Sequence, residues 1–149
     1  MCTVIIGVGV VSMLQLLAVG TVTNSEGAEL TMAVNLANNV REMTLGMAYY
    51  DPQQPTVWNT REATVAQWDN IMDLDGAVFT PPIDARRTSI AGYSGWVQRV
   101  EVEAVSKDKV LQGVGDTTTE PTARVTVTVE RNGTRVYRTS WLVVAPKAN

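Results

Sequence analysis

The densest group of residues that could do chemistry is the acidic stretch 68–76, which reads WDNIMDLDG. It holds three carboxylates, Asp69, Asp73 and Asp75, and carboxylate oxygens are ligands that Ca²⁺ prefers. The spacing does not fit the calcium loop of an EF-hand, because an apolar residue and a proline would occupy the first and last ligand positions. We therefore favour a solvated acidic turn without a metal, with a calcium site on these three aspartates as the alternative.

The composition excludes several classes of active site. The 149 residues contain no histidine, and Cys2 is the single cysteine. Ser–His and Cys–His catalysis, histidine-based zinc sites and a disulfide within the chain are therefore excluded. The net charge of −3 comes without a basic patch, which argues against nucleic acid as a partner. We expect no catalytic residues, no cofactor and no enzymatic activity.

A second charged group follows the Pro-Pro pair of the loop region and contains Asp84, Arg86 and Arg87. Neighbouring arginines can bind an anionic partner through charge-assisted hydrogen bonds. Residues of this kind more often form a charged rim that holds a loop through surface pairs. We favour the rim.

Residues 2–22 form an uncharged apolar run, and the first charged residue of the chain is Glu26. As a helix, residues 1–25 would cover roughly 37 Å, which is enough to cross a bilayer. A secretory signal peptide is the alternative, because Ala18-Val19-Gly20 resembles a cleavage site. We favour a membrane and assembly helix over residues 1–25, whose large apolar residues are Val4, Ile5, Ile6, Val10, Val11, Leu14, Leu16 and Leu17.

An amphipathic helix follows directly. Its apolar residues recur at spacings of four, three and four, and they predict a stripe that packs on a sheet: Leu36, Val40, Met43 and Met47. Because no polar linker separates the two segments, we predict one helix over residues 3–48. In the division into domains, residues 26–50 are assigned to the second half of this helix. Asp51-Pro52 is expected to stop it.

The remaining chain, as part of the globular domain 26–149, predicts a loop region at 51–91 and an antiparallel sheet at 92–146. One strand begins at Trp96, where Val100, Val102 and Ala104 recur at alternate positions. Residues 106–122 read as a flexible connection.

A hairpin follows this connection. Its first strand contains Val125, Val127 and Val129, and Asn132-Gly133 forms the turn. A three-residue loop ending at Gly133 would place Val127 opposite Tyr137 and keep the apolar residues on one face, so we predict that loop with Gly133 in the left-handed conformation. The fold class is α+β, a long helix packed on an antiparallel sheet.

The layout of residues 3–11, 14–18 and 36–43 resembles the N-terminal half of type IV pilins and type II secretion pseudopilins, in particular the minor pilins. The resemblance implies a pilin-like fold and a structural subunit, with other pilin or pseudopilin subunits as partners through the N-terminal helix. It also implies a single-pass anchor in inner-membrane lipid before filament assembly, with the globular domain periplasmic or extracellular.

The basic leader and the processing-site motif of prepilins are not found ahead of the apolar run, so we expect the natural start to lie upstream of Met1. A secreted, β-rich binding module with a cleaved signal peptide is the alternative function. Processing after Gly20 distinguishes the two.

Overall fold

The computed structural model describes the chain in four stretches: residues 25–58, 61–106, 108–115 and 119–146. The chain divides into two compact units, residues 1–32 and 33–149. In the first unit, the described residues 25–32 are helical, and Thr31 Oγ1 donates to the carbonyl of Gly27 at 2.8 Å. The predicted membrane and assembly residues, at positions 4–17, lie outside the described residues. Among those that are described, no helix combines the length and apolar character that a membrane span needs.

Residues 25–45 are helical and are called α1. Within the second unit, the apolar stripe of α1 is buried: Ala33, Leu36, Ala37, Val40 and Met43 are each at most 4% exposed. The 3.6-residue period of a helix places these positions on one side. The prediction of an amphipathic helix with Leu36, Val40 and Met43 in the core is confirmed.

α1 ends at Leu45, earlier than the predicted ends at 48 and 50, so Pro52 does not stop it. Its last turn tightens, since the amide of Gly46 donates to the carbonyl of Met43, three residues back, at 3.3 Å. The helix therefore stops at its own tightened turn, before the proline is reached.

A short parallel bridge between Ala48 and Asn70 connects the chain beyond α1 to the loop region. The amide of Ala48 donates to the carbonyl of Asp69, and the amide of Ile71 donates to the carbonyl of Ala48, both at 2.9 Å. Met47 thus lies outside the helix, which corrects its predicted place in the stripe, but it is half-buried and packs against the core.

The described residues form five strands in one antiparallel sheet: β1 (Val78–Phe79), β2 (Trp96–Ser106), β3 (Lys109–Gly115), β4 (Thr122–Arg131) and β5 (Thr134–Val144). β4 pairs with β2 from Trp96 to Ala104 and with β5 on its other side. β1 and β3 pair with the remaining edge of β2, near its beginning and its end respectively. The predicted antiparallel sheet is confirmed, but β1 lies in the predicted loop region 51–91 and not in the predicted sheet region 92–146.

β3 lies within residues 106–122, where the sequence predicts a flexible connection, so that prediction is wrong. Its pairing with β2 is irregular, with two shifts of register. Arg124 of β4 stabilises the pairing of β3 with β2, because its Nε donates to Glu103 Oε1 at 2.9 Å and its Nη1 donates to the carbonyl of Val110 at 3.2 Å. One guanidinium therefore joins three strands.

One face of the sheet is buried as its alternating sequence predicts. Trp96, Val100, Val102 and Ala104 of β2, and Val125, Val127 and Val129 of β4, are all buried. Successive strand residues point to opposite faces, so an apolar residue at every second position gives the sheet one dry side. Apart from Ala104, these side chains and the α1 stripe belong to one core cluster.

Gln98 is a buried amide at a core position of β2, and it is fully enclosed. Its Nε2 donates to the carbonyls of Leu36 at 2.8 Å and Ile83 at 3.1 Å, and its Oε1 accepts from the amide of Ile83 at 2.8 Å. The side chain therefore links α1, the sheet and the loop region through hydrogen bonds that are shielded from water.

The β4–β5 turn has two residues, which corrects the predicted three-residue loop. Arg131 pairs with Thr134. Asn132 and Gly133 both have positive φ, at 50° and 80°, as a type I′ turn requires. The left-handed conformation predicted for Gly133 is confirmed.

The register of the hairpin is corrected further along the strand. After Glu130 pairs with Arg135, Val136 is passed over, and Val129 pairs with Tyr137. From that bulge onward, Val127 lies opposite Thr139, so the predicted pair with Tyr137 is wrong. The bulge keeps the valines on the same face as the half-buried residues of β5, which is the result that the three-residue loop was expected to give.

Candidate functional site

The acidic stretch folds around a short 3₁₀ helix, Ile71–Leu74, whose N-cap is Asn70. Asn70 Oδ1 accepts from the amide of Met72 at 2.9 Å. Asp73 completes a capping box, since its Oδ2 accepts from the amide of Asn70 at 3.1 Å and from that of Asp69 at 3.0 Å. A side-chain cap at this spacing satisfies backbone amides that the helix leaves unpaired.

Three carboxyl groups converge beside this cap, from Glu62, Asp69 and Asp73. One oxygen from each lies within 4.8 Å of the others. Asp73 is 0% exposed, and the other two are half-buried. The structure therefore brings together two of the three residues that the sequence selects as a calcium candidate, and it adds Glu62.

Asp75 is not part of this cluster, which corrects the predicted set. Its Oδ1 accepts from the amide of Val102 at 2.9 Å, so the side chain ties the acidic stretch to β2. No sequence signal marks Glu62 as a site residue, because the turn at residues 63–67 brings it to the site. We call Glu62, Asp69 and Asp73 the carboxylate cluster.

Trp68 holds the backbone of Glu62, and Arg61 holds the backbone of the acidic stretch beside it. Trp68 Nε1 donates to the carbonyl of Glu62 at 3.0 Å. Arg61 Nε donates to the carbonyl of Asp73 at 2.8 Å, its Nη2 donates to the carbonyl of Asp75, and its guanidinium lies 5.1 Å from the Trp68 ring centroid. Arg61 is thus engaged by backbone carbonyls and an aromatic face.

The predicted arginine group has a structural role in the same loop region. Arg87 Nη1 donates to the carbonyls of Val65 and Ala66, at 3.3 and 3.2 Å, and so holds the turn that delivers Glu62. Asp84 Oδ1 accepts from the amides of Arg86 and Thr88. These contacts fit the charged rim that the sequence favours.

The cluster is electrostatically unbalanced. Burial, followed by the negative charge of Asp73, a hydrogen bond between the Glu62 and Asp73 carboxyls and the negative charge of Asp69, raises the pKa of the Glu62 carboxyl. Among the described residues, no Arg or Lys forms an ion pair with the three carboxylates. Closely spaced carboxyls of this kind can share a proton or bind a hard cation.

No protein-family model, curated protein or solved structure matches the chain.

Proposed function

We propose that the chain is a pilin-like structural subunit, a minor component of a type IV pilus or of a type II secretion pseudopilus. In this proposal the run at residues 2–22 anchors the subunit in the inner membrane as a single-pass helix. The globular domain lies on the periplasmic or extracellular side. During assembly the run leaves the lipid and packs against the runs of neighbouring subunits.

The observation that carries the proposal is that two apolar surfaces follow each other closely in the N-terminal part of the chain. An uncharged run is followed, within a few residues, by α1, whose stripe is buried in the core of the second unit. A buried stripe that follows the run so closely favours a run that stays attached to the folded subunit. A signal peptide, by contrast, is removed before its protein folds.

The chemistry of the run suits both environments that the proposal gives it. Lipid tails and packed Leu or Val side chains are both apolar, so a helix without charges can leave one for the other at a modest change in free energy. Gly7 and Gly9 would allow neighbouring helices to approach closely. A charge in this run would be costly in either place.

The proposal is tested by placing a charge in the run of the full chain, expressed from its natural gene. Leu14→Glu should release the subunit from carbonate-washed membranes and abolish disulfide-linked dimers formed through a cysteine introduced at Leu17 in a Cys2→Ser background. The control is Leu45→Glu, at a position that is 81% exposed, which should change neither readout. Unchanged membrane retention and unchanged cross-linking in Leu14→Glu would contradict the proposal.

A further inference from the structure

The carboxylate cluster contains buried oxygens that the fold leaves without a hydrogen-bond donor. Oδ2 of Asp73 is used by the capping box, as described above, but Oδ1 has no donor among the described residues, and neither does Glu62 Oε2. Buried polar atoms are almost always paired, and an unpaired carboxylate oxygen is among the costliest to enclose. The capping role of Asp73 therefore explains one of its oxygens and leaves the other unexplained.

The neighbouring arginine, tryptophan and asparagine side chains do not supply the missing partner. Arg61 and Trp68 donate to backbone carbonyls around the cluster, which fixes the loop and leaves the carboxylates uncompensated. Asn70 Nδ2 lies 3.5 Å from Asp69 Oδ1. This weak contact reaches neither Asp73 Oδ1 nor Glu62 Oε2. What remains to satisfy Asp73 Oδ1 and Glu62 Oε2 is a proton or a metal ion.

We propose that Glu62, Asp69 and Asp73 bind one hard divalent cation of the calcium class. This site lies outside the proposed role of the apolar run and does not depend on it. The donor set contains only carboxylate oxygens, which suits Ca²⁺ and is unsuited to metals that select sulfur or imidazole.

The dimensions of the cluster fit that ion. Ca²⁺–oxygen distances of about 2.3–2.6 Å allow two ligands of one ion to lie up to roughly 5 Å apart. The three oxygens are within 4.8 Å of one another. Glu62 and Asp69 are half-buried, so the ion can enter from solvent, and water molecules complete its coordination.

The experiment uses the full chain in detergent, stripped with EDTA, with Ca²⁺ and Tb³⁺ as the probes. Trp68 is positioned to sensitise Tb³⁺ luminescence, because its indole is hydrogen-bonded to the backbone of a ligand residue. We expect Ca²⁺ to raise the Tm at neutral pH and to displace Tb³⁺, with a Kd of about 10⁻⁴–10⁻³ M, the range of extracellular calcium modules.

Glu62→Gln is the decisive variant, since Glu62 takes no part in the capping box and its replacement keeps the shape of the residue. It should weaken Ca²⁺ binding at least tenfold. Asp75→Asn is the matched control: it removes an acid from the same loop, outside the cluster, and should leave the Kd within twofold. Trp68→Phe should lower the luminescence while Ca²⁺ still raises the Tm.

The proposal is overturned if Ca²⁺ neither raises the Tm nor displaces Tb³⁺ from the unmodified chain, because a shared proton would then account for the cluster. It is also overturned if Asp75→Asn weakens binding as much as Glu62→Gln does. That result would mean a diffuse attraction of cations to the acidic loop, without a defined set of ligands.

Discussion

The sheet and the loop region between α1 and β2 bury their residues by different means. On β4 the buried residues include Val125, Val127 and Val129, spaced two apart. The loop region buries polar side chains as well, among them Asp51, Asn70 and Asp73. Their oxygens accept from nearby backbone amides, as Asp51 Oδ1 does from the amides of Gln53 and Gln54 at 2.6 and 3.0 Å.

The difference shows two ways of specifying a structure. A sheet face depends on a pattern shared by many residues, so no single side chain defines it. A loop without a regular ladder must satisfy its backbone amides individually, so particular side chains become essential. Substitutions should therefore separate the two mechanisms.

The largest effect is expected at the apolar interface, where Val40→Asp would bury an unpaired charge in the α1 stripe. Val40 is 1% exposed, and we expect a loss of more than about 4 kcal/mol in the free energy of unfolding. Leu45→Asp, on the exposed side of the same helix, should cost at most about 1 kcal/mol, because its charge only opposes the helix dipole. Urea denaturation followed by tryptophan fluorescence checks both. Similar losses would show that the stripe does not stabilise the domain.

The next effect is expected where the two mechanisms meet, at Gln98. Gln98→Leu retains the apolar bulk but leaves the buried amide and carbonyl of Ile83 without their side-chain partner. Each unsatisfied group costs about 1–3 kcal/mol, so we expect the two together to cost at least about 2 kcal/mol. Glu101→Gln, exposed on the same strand, should stay within about 0.5 kcal/mol. A neutral Gln98→Leu would mean that this amide does not hold the loop region to α1.

The smallest effect is expected from pH in the metal-free protein. The raised pKa of Glu62 means that the folded chain keeps a proton which the unfolded chain loses near the ordinary value of 4.5. The free energy of unfolding should therefore fall as the pH rises from that value through the raised, folded one. Glu62→Gln should flatten this part of the profile, measured by urea denaturation in EDTA. Identical profiles for the two proteins would show that Glu62 ionises normally.

The sequence predicted the parts of the fold that depend on periodicity. The stripe at Leu36, Val40 and Met43 and the alternation along β2 and β4 were correct, because burial of one face imposes a period on the sequence. β3 was missed because its residues, with Gly113 and Gly115 among them, follow neither period.

The register of the hairpin could not be obtained from its turn alone. Asn132-Gly133 indicates a tight turn, but the bulge at Val136 lies within the strand and leaves no local signature.

The carboxylate cluster was only half predictable. Asp69 and Asp73 are close in sequence, and Asp73 lies at the spacing of a capping box from Asn70. Glu62 reaches them through a turn that Arg87 holds from another loop, and Asp75 is turned toward Val102 by a hydrogen bond to β2. Gln98, likewise, is a polar residue in an apolar series, and only its partners on α1 and in the loop region explain it.

The intact mass of the mature protein, extracted from membranes of cells that express the gene from its natural locus, tests the central claim most directly. The filament-subunit account predicts a chain that retains residues 3–20 attached to the folded domain. A mature chain that begins at Thr21 and is recovered from the soluble secreted fraction would contradict it, and would favour the secreted binding module.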